Sequence, residues 1–531
     1  MSDRLRQARL DLSRRHLLRC FGASAIAAFG LPLARPALAD PVFRTYPFQL
    51  GIASGEPAPD GFVIWTRLAP EPFEIGHGMP AQAVEVAWEV AEDDRFRSIV
   101  RKGTALARPE LGHAVHVEVE GLSPGRPYWY RFTAGRERSL AGRAVTAPPA
   151  GASLDRLRFA VAGCQNYEQG HYTALRKLAA EELDFVYFYG DYIYESRGNR
   201  LRNSAEGPVE SVRQHFGDEI YTLEDYRRRY AQYKMDPDLQ AAHAAAPWFG
   251  VWDDHEIDNN WADVTDQDET PPALFALRRQ AAAQAYYENM PLRASALPVG
   301  PAMQLFRRAA YGDLLDLNLL DTRQYRSDQP CGDRWGVECG DVTGGELEML
   351  GERQHAWLME NVERSPALWN VLAQQVMVMD LDRDPGAGVA YNLDSWAGYR
   401  SPRERLLKGL QARKARNVVV LTGDEHQNYA GELHLDGTRP EAAPIGVEFV
   451  TTSVSSSGDG EDQRPDMAAI QAANEQLKFN NSQRGYVVCD VDRERFQAEF
   501  KVLDRVSTPG GTLSTRKILA VPAGSARLVD A

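Results

Sequence analysis

Long apolar runs are missing from this 531-residue chain. The longest candidate, Cys20–Leu31, is interrupted by Gly and Ala and followed by Pro32. It falls short of the ~20 residues that span a bilayer, which excludes a permanent membrane anchor. Positive charge is also in deficit, with 60 Lys and Arg against 74 Asp and Glu and a net charge of −14. That balance excludes a nonspecific nucleic-acid surface and an anionic-membrane surface, both of which need a basic field. No Gly-x-Ser-x-Gly elbow, Walker loop or Gly-x-Gly-x-x-Gly turn occurs in its required context, so serine hydrolase, kinase and dehydrogenase chemistries fall away. Repeats and low-complexity segments are absent. With 44% hydrophobic and 25% charged residues, the composition is that of a globular protein, and the length suggests two folded domains behind any targeting segment.

What is present begins with residues 1–39. A basic stretch, the short apolar run and Ala37-Leu38-Ala39 before Asp40 form an export-signal pattern. Ser13-Arg14-Arg15-His16-Leu17-Leu18 resembles the twin-arginine signal, with Leu where Phe is common. That resemblance implies passage of the folded protein through the twin-arginine translocon, with a cofactor already loaded, and residence in the periplasm or outside the cell. Cleavage after Ala39 leaves Cys164, Cys331, Cys339 and Cys489 of the five cysteines. Cys331 and Cys339 bracket a short Gly-rich loop suited to a disulfide in an oxidising compartment. Cys489 sits in a strand-like run, where a small buried role is expected.

Residues 40–146 alternate with period 2 in short runs such as Val84–Val90 and Tyr128–Phe132, separated by turn clusters such as Pro57-Ala58-Pro59-Asp60-Gly61. This predicts an all-β sandwich. Thr146–Gly151 reads as a linker. Residues 152–520 alternate apolar strands with helix-like segments at 170–182, 273–289, 345–363 and 402–414, which predicts an α/β or α+β domain whose functional loops leave strand C-termini.

Four blocks share one layout, an apolar strand running into residues able to hold a metal. They are Gly163-Cys164-Gln165-Asn166, Gly190-Asp191-Tyr192-Ile193-Tyr194-Glu195, Asp253-Asp254-His255-Glu256 with Asp258-Asn259-Asn260-Trp261, and Gly423-Asp424-Glu425-His426. A Gly-Asp after one strand is more often a turn or helix cap, and a lone Cys there is more often buried. Four such blocks along one sheet edge gather carboxylates, imidazoles, a phenol and a thiol, whose mutual repulsion demands cations.

The blocks resemble those of the calcineurin-like metallophosphoesterases, with Asp254-His255-Glu256 in place of Asn-His-Glu and Gly423-Asp424-Glu425-His426 in place of Gly-His-x-His. Gln374-Gln375 stands where a further His is common. The same departures, with Asn259-Asn260 and Asp321-Thr322-Arg323-Gln324-Tyr325-Arg326, resemble the PhoD-like alkaline phosphatases and phosphodiesterases, and Gly51–Leu68 resembles their N-terminal fibronectin-like domain. The resemblance implies Fe³⁺ with Ca²⁺, or other divalent metals. It implies Cys164 and Tyr194 as iron ligands, Asp191 as the bridging carboxylate, and Asp424 and His426 as ligands from the last block. Asp254 and one of Asn259 or Asn260 are the remaining oxygen donors, and the choice between the two Asn stays open. His255 is the candidate acid for the leaving oxygen or a phosphate hydrogen-bond donor, with a structural role bonded to a carboxylate as the alternative to both. Arg278-Arg279 and Arg323 are candidates for the phosphate fork.

The expected activity is hydrolysis of phosphate monoesters or diesters, with hydroxide or oxide held by the metals attacking phosphorus in line. The expected partners are small phosphate esters, phospholipid head groups or wall polymers. Alternatives are a phospholipase D-like or cell-wall phosphodiesterase on the same site, with specificity in loops 196–222 and 331–345, and a non-enzymatic polymer-binding protein.

Overall fold

In the computed structural model, residues 41–204, 207–332, 346–384, 386, 388–435 and 443–531 are described below. The signal pattern at 1–39 and Cys339 lie outside them. Among the described residues, no helix is long and apolar enough to cross a membrane.

The N-terminal segment forms β1 (Ile52–Ala58), β2 (Gly61–Arg67), β3 (Val84–Ala91), β4 (Ile99–Ala107), β5 (Ala114–Val119), β6 (Pro127–Ala134), β7 (Glu137–Arg138) and β8 (Gly142–Val145). One layer is β4-β3-β6-β7 with β8 against β6, and the other is β1-β2-β5. The alternation seen in the sequence puts Phe62, Ile64, Val86, Val90, Tyr130 and Phe132 between the layers. The second layer is not closed off. β1 pairs in parallel with β13 (Trp248–Gly250), so these strands extend a ten-stranded sheet that also contains β9 (Arg156–Ala162), β10 (Phe185–Phe188), β21 (Gly485–Asp492) and β22 (Arg495–Leu503).

A seven-stranded sheet faces it, with β15 (Leu315–Leu319), β16 (Trp369–Ala373), β17 (Val418–Thr422) and β19 (Gly446–Val450) running parallel. Such strands are buried on both faces, which is why they read as continuous apolar runs. Their period of 2 then sorts the side chains. Phe159, Val161, Phe185 and Tyr187 meet Leu317, Val371, Leu421 and Phe449 between the sheets. Ala160, Ala162, Val186 and Phe188 face helices α2 (Leu223–Lys234) and α4 (Pro272–Asn289) on the outside. Helices α5 (Gly351–Arg364) and α6 (Arg400–Ala412) cover the other sheet through Leu358, Leu406 and Leu410. Truncating an inner residue such as Leu317 to Ala costs on the order of 2–5 kcal/mol.

Three of the helix expectations fall on α4, α5 and α6 with shifted ends. The one at 170–182 shrinks to α1 (Thr173–Leu178), which puts Ala174, Leu175 and Leu178 into the core before the chain turns to enter β10. Three of the described helices were not anticipated, α2, α3 (Pro237–Ala245) and α7 (Met467–Ala473). Besides Tyr226, Tyr230 and Tyr233, α2 buries Arg229, Gln232 and Lys234, and these polar residues break up the apolar signal in the sequence; its start is fixed by a capping box between Thr222 and Asp225.

Candidate metal centre

The four blocks do not share one sheet edge: β9, β10 and β13 of the ten-stranded sheet deliver three of them and β17 of the facing seven-stranded sheet delivers the fourth, and the donor atoms meet where the two sheets' strand ends come together. Leaving a strand abruptly requires unusual backbone, and Cys164, Asp191, Asp424 and His426 all adopt positive φ, at 49°, 55°, 64° and 53°. Each such residue costs about 1–3 kcal/mol and persists only where its surroundings hold it. Glycines make room for the turns. A Cβ on Gly163 or Gly423 would lie 2.2 or 2.1 Å from the Tyr189 ring, which is wedged between the two loops. Hydrogen bonds hold the shape: Cys164 N donates to Gly190 O at 3.0 Å and Gln165 N to Asp191 O at 3.1 Å. The Glu256 carboxylate accepts from the backbone N of Asp191, Tyr192 and Asp253 at 3.1, 2.6 and 2.8 Å. Burial pushes the Glu256 carboxyl up to about 8.

Among the described residues three groups of donor atoms result, each within 4.8 Å: Cys164, Asp191 and His426; Asp191, Asp254 and His255; and Asp253, Asp254 and Asp424. Asp191 and Asp254 are shared, so the groups form a chain. The Tyr194 hydroxyl joins the first, donating to Asp191 Oδ2 at 2.6 Å and lying 3.3 Å from His426 Nε2. Burial and neighbouring carboxylates push Asp424 well above the usual range, and burial, with Asp254, Asp253 and Glu256, does the same to Asp191 despite His255. Burial raises Asp253 to about 7 and drives the Cys164 thiol up. Asp191 Oδ1, Asp253 Oδ2 and Asp254 Oδ1 are buried with no hydrogen-bond partner. Orphaned carboxylate oxygens at this depth are costly unless a cation takes them, and the set of thiol, phenol, imidazole and carboxylates therefore fits the metal ions that the sequence implies.

The imidazoles are differentiated. Burial, reinforced by Arg484, lowers His426 to about 3, leaving the neutral ring that ligates metals. His426 Nδ1 lies 2.8 Å from Ser457 Oγ, which leaves Nε2 for the crevice. His255 is the reverse case. Burial opposes its charge, yet Glu195, Asp254 and Asp191 raise it well above the ordinary value. Its Nδ1 lies 2.7 Å from Glu195 Oε2, and its ring stacks on Tyr194 with centroids 4.0 Å apart.

The arginines divide. Arg323 is fully buried, donating from Nε to Asp253 at 2.6 Å and from Nη1 to Asp394 at 2.9 Å. Its Nη2 lies 3.8 Å from Asp254 and 3.9 Å from Asp424. Arg278 is taken up by Asp258 and Glu219 at 3.0 and 2.9 Å. Arg279 sits over Trp261 with a looser pair to Asp263 at 3.6 Å. Of the two asparagines, Asn259 directs its side chain to Gln267 at 2.9 Å, whereas Asn260 N donates to Asp254 Oδ2 at 2.8 Å. Gln374 and Gln375 bond Thr422 and Thr322, both buried behind the strand ends.

Sequence reasoning passed over Asp253, Glu195, Asp394 and Ser456. Asp253 and Glu195 adjoin named residues, so the signal was in the blocks. Ser456 follows β19, a fifth strand whose polar end had the same layout. Asp394 reaches Arg323 and Arg326 from a loop with no such mark. Cys164 and Cys489 are free and buried, whereas Cys331 is disulfide-bonded.

Comparison with known proteins agrees with this geometry. The profile of the PhoD-like phosphatases matches residues 159–500, and that of the PhoD-like phosphatase N-terminal domain matches 34–148. Alkaline phosphatase D of Bacillus subtilis (strain 168) is 46% identical over 508 residues, covering 95% of this chain and 86% of that protein. A solved structure of PhoD superposes with a TM-score of 0.89 at 46% identity, covering 92% of this chain and 93% of that one.

Proposed function

The chain belongs to the PhoD-like phosphatase family, and from that premise we propose a division of labour within its metal centre and a route of export. It is a metal-dependent phosphoesterase, and neither a polymer-binding role nor a lipid- or wall-directed specificity is favoured by these relatives. The observation that carries the reading is the chain of three donor groups with orphaned carboxylate oxygens at the strand ends.

In the proposed division, Cys164, Tyr194, Asp191 and His426 hold Fe³⁺, because thiol and phenol donors suit it and are poor partners for Ca²⁺. Asp254, Asp424 and an oxygen of the Asn259-Asn260 turn hold Ca²⁺, with Asp253 close by. Bound cations supply positive charge for the phosphoryl oxygens and make a water-derived nucleophile available near neutral pH. The protein's own groups do the rest. Glu195 holds His255 at Nδ1, so the proton on Nε2 is aimed from the crevice at a leaving oxygen. Arg323 balances the charge of Asp253 and Asp394 from within the protein. Arg279, with the loosest ion pair, is the arginine free to turn toward phosphate. The signal pattern at 1–39 supports export by the twin-arginine route.

Elemental analysis of the purified enzyme, with turnover of p-nitrophenyl phosphate and bis-p-nitrophenyl phosphate, tests the proposal. Iron and calcium should co-purify with activity, and the protein should be coloured by charge transfer to iron. A colourless, iron-free and fully active enzyme refutes the iron assignment and returns Cys164 to the core.

A further inference from the structure

Strand β19 ends in a hydroxyl-rich run, Thr451-Thr452-Ser453-Val454-Ser455-Ser456-Ser457, that no ligand assignment uses. The run folds over the first strand-end loop. Val454 N donates to Gly163 O at 2.9 Å, and Ser456 N donates to Cys164 O at 3.3 Å. From below, the fully buried Arg484 guanidinium pins it, donating from Nη1 to Ser453 Oγ and Ser456 O, both at 2.7 Å.

Within this run Ser456 is fully buried, and its hydroxyl makes three contacts. Oγ donates to Cys164 O at 2.8 Å, accepts from Asn166 N at 3.1 Å, and meets the Tyr194 hydroxyl at 2.7 Å. A hydroxyl has one proton, and the Tyr194 proton is already given to Asp191, so the Ser456 proton serves Cys164 O and the Tyr194 oxygen in turn while Asn166 N takes an acceptor site. The thiol of Cys164 and the phenol of Tyr194 come from loops after two different strands, β9 and β10, and the Ser456 side chain bonds to both loops at once.

We propose that Ser456 is a positioning residue of the metal centre, tying the Tyr194 phenol to the Cys164 loop so that the two donors are preset before a cation arrives. The proposal rests on the reading of Cys164 and Tyr194 as ligands. Groups that orient metal ligands are worth about 10–100-fold in metal affinity when removed. Ser456 acts through the position of the phenol, so its contribution should vanish when the phenol is gone.

The test is chelator competition for bound metal, with the melting temperature of the stripped protein as a check on folding. Ser456→Ala should weaken metal binding by about 10–100-fold and leave the stripped protein's melting temperature near wild type. Ser456→Thr, which keeps the hydroxyl, should stay within about threefold. Ser455→Ala is the control: that hydroxyl is equally buried but donates to Asn166 O at 2.8 Å and touches neither donor. It should change affinity by no more than about twofold. In a Tyr194→Phe background, Ser456→Ala should add almost nothing. If Tyr194→Phe alone leaves affinity unchanged, the ligand reading itself fails. If Tyr194→Phe weakens binding but Ser456→Ala does not, the positioning role is overturned. Equal losses in Ser455→Ala and Ser456→Ala, or in the Thr and Ala variants, overturn it as well.

Discussion

Removing the Glu256 carboxylate should destabilise the protein in proportion to the backbone groups it leaves stranded. Its two oxygens accept three buried N–H donors, those of Asp191, Tyr192 and Asp253. Each buried donor left unsatisfied costs about 1–3 kcal/mol. In Glu256→Gln the amide oxygen can occupy the position of Oε2 and keep Asp191 N and Asp253 N, which sets the NH2 against Tyr192 N. One donor is lost, for about 1–3 kcal/mol. In Glu256→Ala all three are lost, for ~3–9 kcal/mol before any water enters. A chain of this length shifts by no more than ~2 °C per kcal/mol, so the Gln variant should melt up to ~6 °C lower and the Ala variant up to ~18 °C lower. Differential scanning calorimetry on the metal-stripped protein reads this without cation binding to mask it. If the Ala variant melts within about 2 °C of wild type, or the Gln variant is as damaged as the Ala variant, Glu256 does not hold the strained Asp191 turn.

For His255→Ala, metal content should persist while kcat falls by about 10²–10⁴, with the larger losses on esters with poor leaving groups; loss of metal instead would recast His255 as a ligand. Lys234 is a stability prediction with a pH signature. It is fully buried over Trp65, and burial, with a smaller push from Arg67, depresses it well below 10.5. A lysine depressed on folding binds fewer protons folded than unfolded, so it costs stability below 10.5 and the cost disappears as pH rises through that value. Lys234→Met should therefore melt higher than wild type at neutral pH, with the gap closing toward pH 10.5; a loss at neutral pH, or a gain that does not shrink, contradicts the sign.

The metal centre was legible because parallel strands concentrate function in short windows after apolar runs. Gly190-Asp191-Tyr192-Ile193-Tyr194 and Gly423-Asp424-Glu425-His426 each carry a glycine that a crowded turn requires and donors that the turn exposes. The layered fold was legible for the same reason, since Phe159–Ala162 and Val418–Leu421 are apolar throughout and buried on both faces. What escaped lay elsewhere in physical kind. Helix α2 buries tyrosines together with Arg229, whose guanidinium serves the carbonyls of Tyr194 and Ser196, and with Gln232 and Lys234, and those polar residues hide the tyrosine stripe in the sequence. Asp394 meets Arg323 and Arg326 only through tertiary folding. Arg323 looked available to phosphate from its loop position, and nothing in its neighbourhood in sequence showed that Asp253 and Asp394 would enclose it.

The central claim is that these strand-end donors hold the cations on which hydrolysis depends. Titrating the purified enzyme with a strong chelator, while following bound metal and p-nitrophenyl phosphate turnover in the same samples, tests it most directly. Turnover should fall in step with metal lost and return when metal is restored, and Asp191→Ala should neither hold metal nor turn over. Full activity in protein shown to be metal-free would contradict the account.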